Sequence, residues 1–171
     1  METMFCYQCQ ETAHCTGCTK VGVCGKTADV ANTQDLLVYV TKGLCAITTA
    51  IRKQGGTISA QVNNLIVTQL FSTITNANFD KDMLENGIRE VLAVSKELRT
   101  QVKHPETLPQ AALWDGSGNW EEKASSVGVL ATENEDIRSL RELLTYGLKG
   151  LSAYTKHANA LLHTDDELDA F

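Results

Sequence analysis

Five of the six cysteines, Cys6, Cys9, Cys15, Cys18 and Cys24, fall in the first 24 of 171 residues. Thiols this dense either pair with one another or, as thiolates, hold a metal. Two CxxC pairs, Cys6-x2-Cys9 and Cys15-x2-Cys18, would make a four-cysteine zinc site, but the loop between them is shorter than zinc ribbons use and Cys24 is left idle. A redox dithiol at Cys6 and Cys9 would need a βαβ context that the chain lacks. Grouped as Cys6-x2-Cys9-x8-Cys18-x5-Cys24, the stretch offers four thiolates, one for each iron of a cubane cluster. Gly17, Gly22 and Gly25 suit this third grouping, because backbone without side chains lets N–H groups approach cluster sulfur.

Such a loop must be carried by something, and the rest of the chain reads as helices. At 43% hydrophobic residues the composition is that of a soluble globular protein, and the length suits one domain with a buried core. No run of about 18 apolar residues exists, so a membrane partner is not expected. The start lacks the features of a signal peptide, so the expected location is the cytoplasm, whose thiol pools weigh against disulfides. A net charge of −6 with interspersed signs excludes a nucleic-acid partner, which calls for a concentrated positive surface.

Residues 1–30 show no period and read as the metal-organised loop. Asn32 and Thr33 then offer N-cap oxygens ahead of Asp35, whose charge suits a helix start. Leu36, Val40, Leu44, Ile47 and Ile51 form one helix face, stopped at Gly55-Gly56. From Ile58 to Phe79 the residues are β-branched, but Ile58, Val62, Leu65, Ile66, Gln69, Leu70 and Thr73 keep a helical period. Asp80 caps a third helix whose buried side is Met83, Leu84, Ile88, Val91, Leu92, Val94, Leu98 and Val102. Turn signals fill Lys103 to Ala131, with a short helix at Trp120–Ser126 and Leu113, Trp114 and Trp120 placed to pack inward. Thr132 and Glu135 stand in capping-box relation before a last helix, Glu135 to about Leu162. The expected organisation is all-α: a cluster-binding loop (1–30), a first helical bundle (31–103), a connecting segment (104–131) and the start of a second bundle (132–171).

The last helix repeats the first. Asp35–Ile51 aligns without a gap on Glu142–Ala158 with eight of 17 positions identical, including Tyr39/Tyr146, Lys42/Lys149, Gly43/Gly150 and Leu44/Leu151. An internal duplication explains this better than chance, and Gly43 and Gly150 are expected to admit another backbone closely. With nine residues beyond Leu162, the second bundle reads as unfinished.

Several unrelated motifs now stand in one order: Met4-Phe5-Cys6-x-x-Cys9-x-x-Thr12, Gly17-Cys18, Cys24-Gly25-Lys26, Gln34-Asp35-Leu36-Leu37, Thr73-x-Thr75-Asn76-x-Asn78-Phe79-Asp80 and Gly147-x-Lys149-Gly150. In this the chain resembles the N-terminal region of the hybrid-cluster proteins, also called hydroxylamine reductases or prismane proteins, which are similar in architecture to carbon monoxide dehydrogenases. The resemblance implies that Cys6, Cys9, Cys18 and Cys24 bind a 4Fe-4S cluster that relays single electrons from a donor protein. It also implies that the catalytic hybrid iron-sulfur-oxygen cluster lies in C-terminal domains of the same enzyme, absent here, where hydroxylamine is reduced to ammonia and nitric oxide is a second candidate substrate. This chain alone, with no catalytic residue of its own, is then expected to be inactive. A homodimer is one further partner the reading allows.

The remaining candidates take plainer readings. Cys15 matches no ligand of the motif and is read as a free thiol, with an alternative ligand as the second reading. Cys45 is a small buried hydrophobe in its helix. His14 has four better-spaced thiols around it, and His104, His157 and His163 are solvated or capping. Glu133 and Glu135 mark a helix start, while Lys20 and Lys26 offset cluster charge or help dock an electron carrier.

Overall fold

The computed structural model describes residues 3–165 and 167–168. Its helices are α1 (Ala28–Lys53), α2 (Ala60–Ser72), α3 (Lys81–Arg99), the short α4 (Gln110–Leu113) and α5 (Trp120–Val127), and α6 (Glu135–Ala160). No strand occurs among the described residues, so the all-α expectation holds.

The face read along the first helix is the core. Leu36, Leu37, Val40, Leu44, Ile47 and Ile51 of α1 are all at most 2% exposed. They pack with Leu65 of α2, with Leu84, Ile88 and Val91 of α3 and with Ala124 of α5, while Val102 and Ala112 close the far end. At about 1.5–3 kcal/mol for each large aliphatic side chain buried, this stripe is the main stabilising term of the fold.

Helix boundaries differ from expectation where local polar groups decide them. α1 starts at Ala28 after Thr27, so Asn32, Thr33 and Asp35 are interior residues and not its cap. Thr33 instead donates to the Asp29 carbonyl (2.7 Å) and Asn32 to that of Thr3 (3.1 Å). α2 is shorter than Ile58–Phe79, beginning after Ser59, which caps Val62 N–H. It stops because Ser72 and Thr73 turn their hydroxyls onto the carbonyls of Gln69 and Leu70 (2.8 and 2.9 Å), and Asn76 takes a left-handed φ of 61°. Asp80 caps α3 at Met83 N–H (3.1 Å) as read, but Met83 itself is 60% exposed and leaves the buried side. For α6 the cap is Asn134, bonded to Ile137 N–H at 3.0 Å, and not Thr132.

Residues 104–131 lie along α1. Arg99 donates to the carbonyls of Ala112 and Leu113 (3.0 Å each), and Lys123 sits over the rings of Tyr39 and Trp114 (4.8 and 5.6 Å). α4 approaches α1 so closely that a Cβ on Gly43 would collide with the Ala111 carbonyl. Its repeat partner behaves otherwise: a Cβ on Gly150 meets nothing within 4 Å, so the close approach expected there is not made among the described residues.

The two repeated helices, 26 residues each, thus have opposite environments. Leu36 and Leu37 are 1% and 0% exposed, whereas Leu143 and Leu144 are 71% and 65%. α6 packs mainly on α2, pinned by Lys156 to Asn64 and Thr68 (3.3 and 2.9 Å), and leaves Ile137, Leu140, Leu144 and Tyr154 exposed. Among the described residues no helix is long and apolar enough to cross a membrane.

The glycine pair predicts opposite outcomes in denaturant unfolding. Gly43→Ala should destabilise by roughly 1–3 kcal/mol through overpacking on α4. Gly150→Ala should stabilise by up to about 1 kcal/mol through helix propensity.

Candidate metal centre

The cysteine loop is shaped by backbone bonds, not by an apolar face. Cys6 and Cys18 exchange both N–H···O bonds (3.0 and 2.8 Å), an isolated antiparallel bridge that sets these two residues opposite each other. Cys9 opens a turn closed by Thr12 N–H on its carbonyl (3.2 Å), and Cys24 sits in a turn closed by Gly25 N–H on Gly22 (2.8 Å). Two glycines make the path possible. Gly17, at φ 140°, lies under the Phe5 ring, where a Cβ would come within 2.6 Å of a ring carbon. A Cβ on Gly22 would lie 3.0 Å from Cys24 Sγ.

Cys18 is buried, Cys6 and Cys9 are half-buried and Cys24 is exposed. Burial opposes ionisation of Cys18, but N–H groups of Ala13 and Val23, the Thr12 hydroxyl and the nearby Lys26 charge outweigh it and hold its pKa below the ordinary thiol value. Ala13 N–H lies 3.5 Å and Thr12 Oγ1 3.7 Å from the sulfur. Among the described residues no three His, Cys, Asp or Glu side chains close around one point as a single ion requires. A thiolate stabilised by N–H donors, a glycine-made space beside Cys24 Sγ and a buried cation nearby are the surroundings that iron-sulfur ligation needs, and the residues present fit it.

Cys15 and His14 are exposed, on consecutive left-handed residues (φ 58° and 54°). Cys45 is half-buried, and burial pushes its thiol up to about 11, in keeping with a packing role. His104 pairs with Glu106 at the surface (3.2 Å), and His157 meets the Phe71 ring edge-on (5.4 Å). Glu133 and Glu135 are exposed at the start of α6, and His163 and Lys20 are exposed as well.

Lys26 is different. It is 3% exposed, donates to Gln34 Oε1 at 2.6 Å and lies 5.9 Å from the Phe79 ring centroid. Gln34 in turn donates to the Asn78 carbonyl (2.8 Å). From α6, Lys149, 4% exposed, donates to the Thr73 carbonyl (3.2 Å). The Val129 N–H faces the Asp35 carboxyl, and a Cβ on Gly128 would sit 2.8 Å from its Oδ2. Burial pushes the Asp35 carboxyl up to about 7, with Lys149 opposing and Glu142 adding to the rise. Burial lowers Lys149 to about 8, against the pull of Asp35 and Glu142.

This polar knot was not read from the sequence as a unit. In sequence Asp35 reads as a helix-start charge, and Glu142, Tyr7 and Gln8 are given no role; Gln34, Thr73 and Lys149 fall in motifs of the family resemblance, which do not say that these residues meet. Lys42, the repeat partner of Lys149, is exposed. Residues from Tyr7 to Lys149, up to 142 positions apart in the chain, converge here on the back of the loop.

The profile of the prismane/CO dehydrogenase family matches residues 4–171. The chain belongs to that family. Among its relatives, the hydroxylamine reductase of Clostridium perfringens is 51% identical over 177 residues, covering 99% of this chain and 32% of the relative. Those of Desulfovibrio desulfuricans and Bacteroides thetaiotaomicron are 49% and 50% identical over 98% and 99% of the chain, which covers 31% of each. The chain thus spans about a third of the length of these prismane-family reductases.

The polar knot should leave a signature in stability against pH. Asp35 ionises near 3.8 when unfolded and near about 7 when folded, so between these values the folded state holds the extra proton. Stability should therefore decline as pH rises through this window, and Asp35→Asn should remove that decline, as read from urea unfolding at a series of pH values.

Proposed function

We propose that this chain is the electron-entry part of a hydroxylamine reductase, with a 4Fe-4S cluster on Cys6, Cys9, Cys18 and Cys24. The observation that carries this reading is the bridge-bound Cys6–Cys18 pair, with N–H donors on the Cys18 sulfur and a buried lysine behind the loop, in a chain of the prismane family. When bound, a cubane of this kind takes up and passes on one electron at a time.

The chain's own residues have definite parts in this. Ala13 N–H, Val23 N–H and the Thr12 hydroxyl favour the thiolate of Cys18, and the buried charges of Lys26 and Lys149 offset negative charge at the loop. Cys24 and its turn are exposed, which gives an electron-donor protein a short approach. The substrate reaction, hydroxylamine to ammonia and water with two electrons and two protons, is assigned to the parts of the longer reductases that this chain does not span, together with their hybrid iron-sulfur-oxygen cluster. Nitric oxide is the second substrate in this reading, and the cytoplasm is its location. The exposed apolar strip of α6 is the surface offered to those domains.

Anaerobic purification with iron and sulfide analysis tests the proposal. Iron, sulfide and a broad visible absorption that dithionite bleaches are expected, and a colourless protein with stoichiometric zinc overturns the reading. Cys18→Ser or Cys24→Ser should strip most of the iron while Cys15→Ser keeps it. The chain on its own should not turn over hydroxylamine; measurable turnover would place the active site within these residues.

A further inference from the structure

Behind the cysteine loop a cleft runs inward between the loop, α1, the 126–132 segment and α6. Two cavities of about 280 and 310 Å³ share Gln8, Glu142, Thr145 and Lys149 as walls. A narrow neck of about 10 Å³, walled by Gln8, Asp35 and Glu142, continues to Cys6. The Tyr7 hydroxyl and Gln8 Oε1 are buried beside it with no hydrogen-bond partner among the described residues. The two outer cavities have room for ordered water, and the neck, with its orphaned polar atoms, is about the size of a single water.

We propose that this cleft is the proton entrance of the electron relay: Asp35 takes one proton from cleft water for each electron that arrives at the loop, and returns it when the electron leaves. The inference rests on the reading that the loop holds an iron-sulfur cluster. The electron comes from a one-electron donor protein, replaced by dithionite in vitro, and the proton from bulk solvent: the Asp35 O–H bond forms as an O–H bond of a hydronium delivered through the cleft breaks, leaving water, and the reverse transfer accompanies oxidation. Charge is conserved at the site, because the added negative charge is matched by the added proton.

The physical basis is Coulombic. An electron added in a low-dielectric setting raises the proton affinity of a nearby acid, and the effect is largest for an acid already poised near neutrality. Burial and the neighbouring Glu142 carboxylate poise Asp35 in this way. The charged and titratable groups facing it are Glu142, Lys149 and Arg141 from α6, Lys26 and Tyr7 from the loop and Lys42 from its own helix. The 126–132 segment contributes the Val129 N–H.

The test is a redox titration of the anaerobically prepared full chain at several values between about pH 6 and 8, followed by visible absorption and with no activity assay. The expected result is a reduced-to-oxidised ratio that, at fixed potential, changes up to tenfold per pH unit, or about 59 mV for one electron. Asp35→Asn should abolish this dependence. Should that variant fail to fold, Glu142→Gln serves: removing the like charge should move the pH-dependent window downward. A potential independent of pH in the unmodified chain overturns the inference, as does a slope that survives Asp35→Asn or a window that Glu142→Gln leaves in place. A flat potential in a chain that holds iron and sulfide overturns this inference alone, whereas a chain with no cluster overturns the proposed function with it.

Discussion

Two buried lysines impose the constraint that the loop and helices must meet. A buried cation is tolerated only when hydrogen-bonded and compensated, and Lys26 and Lys149, each under 5% exposed, find their partners on different elements. Lys26 needs Gln34 on α1, and Gln34 needs the Asn78 carbonyl beyond α2. Lys149 needs the Thr73 carbonyl, and Asp35 balances its charge. Each link crosses from one element to another, so the loop, α1, the end of α2 and α6 are held in one arrangement by polar satisfaction, where apolar packing between α1 and α6 is sparse. Single truncations here would leave a buried group unpaired, a larger penalty than the hydrogen bond itself contributes.

The apolar side of the structure is organised separately. α1 is the axis on which α3, α4 and α5 pack, and its small residue at Gly43 lets α4 come into backbone contact. α6 carries a related run of residues, eight of 17 identical, and leaves Leu143 and Leu144 to solvent, because the described elements chiefly cover its face toward α2. Equivalent sequence in two settings has therefore diverged by role. Lys42 stays at the surface while Lys149 turns inward to the knot, and Gly43 is filled by a neighbour while Gly150 faces open space.

These two organisations meet at the loop, the site of the proposed electron relay. A surface turn at Cys24 lies on one side, and on the other lie fixed positive charge, a carboxyl near its neutral point and a cleft open to water. An added electron at such a place is stabilised without a large rearrangement, since the compensating charges are already in position. The arrangement belongs to a chain of the prismane family whose hydroxylamine reductase relatives are about three times its length.

What the sequence determined by itself is what local rules write into it. The face Leu36–Val40–Leu44–Ile47–Ile51, the Asp80 cap and the α5 helix are legible because helical period and capping act over a few residues. The four candidate thiols and their glycines are legible from spacing and from a family resemblance, since ligation chemistry is carried by residue type. Tertiary structure alone decided the rest. Thr73 at the end of α2 and Asn78 beyond it lend carbonyls to lysines 76 and, through Gln34, 52 residues away in the chain, and no local pattern announces a partner so distant. It also decided that Asp35 is a half-buried acid facing the cleft and not a cap, because the proton affinity of a carboxyl is set by what surrounds it in space and not by its neighbours in sequence.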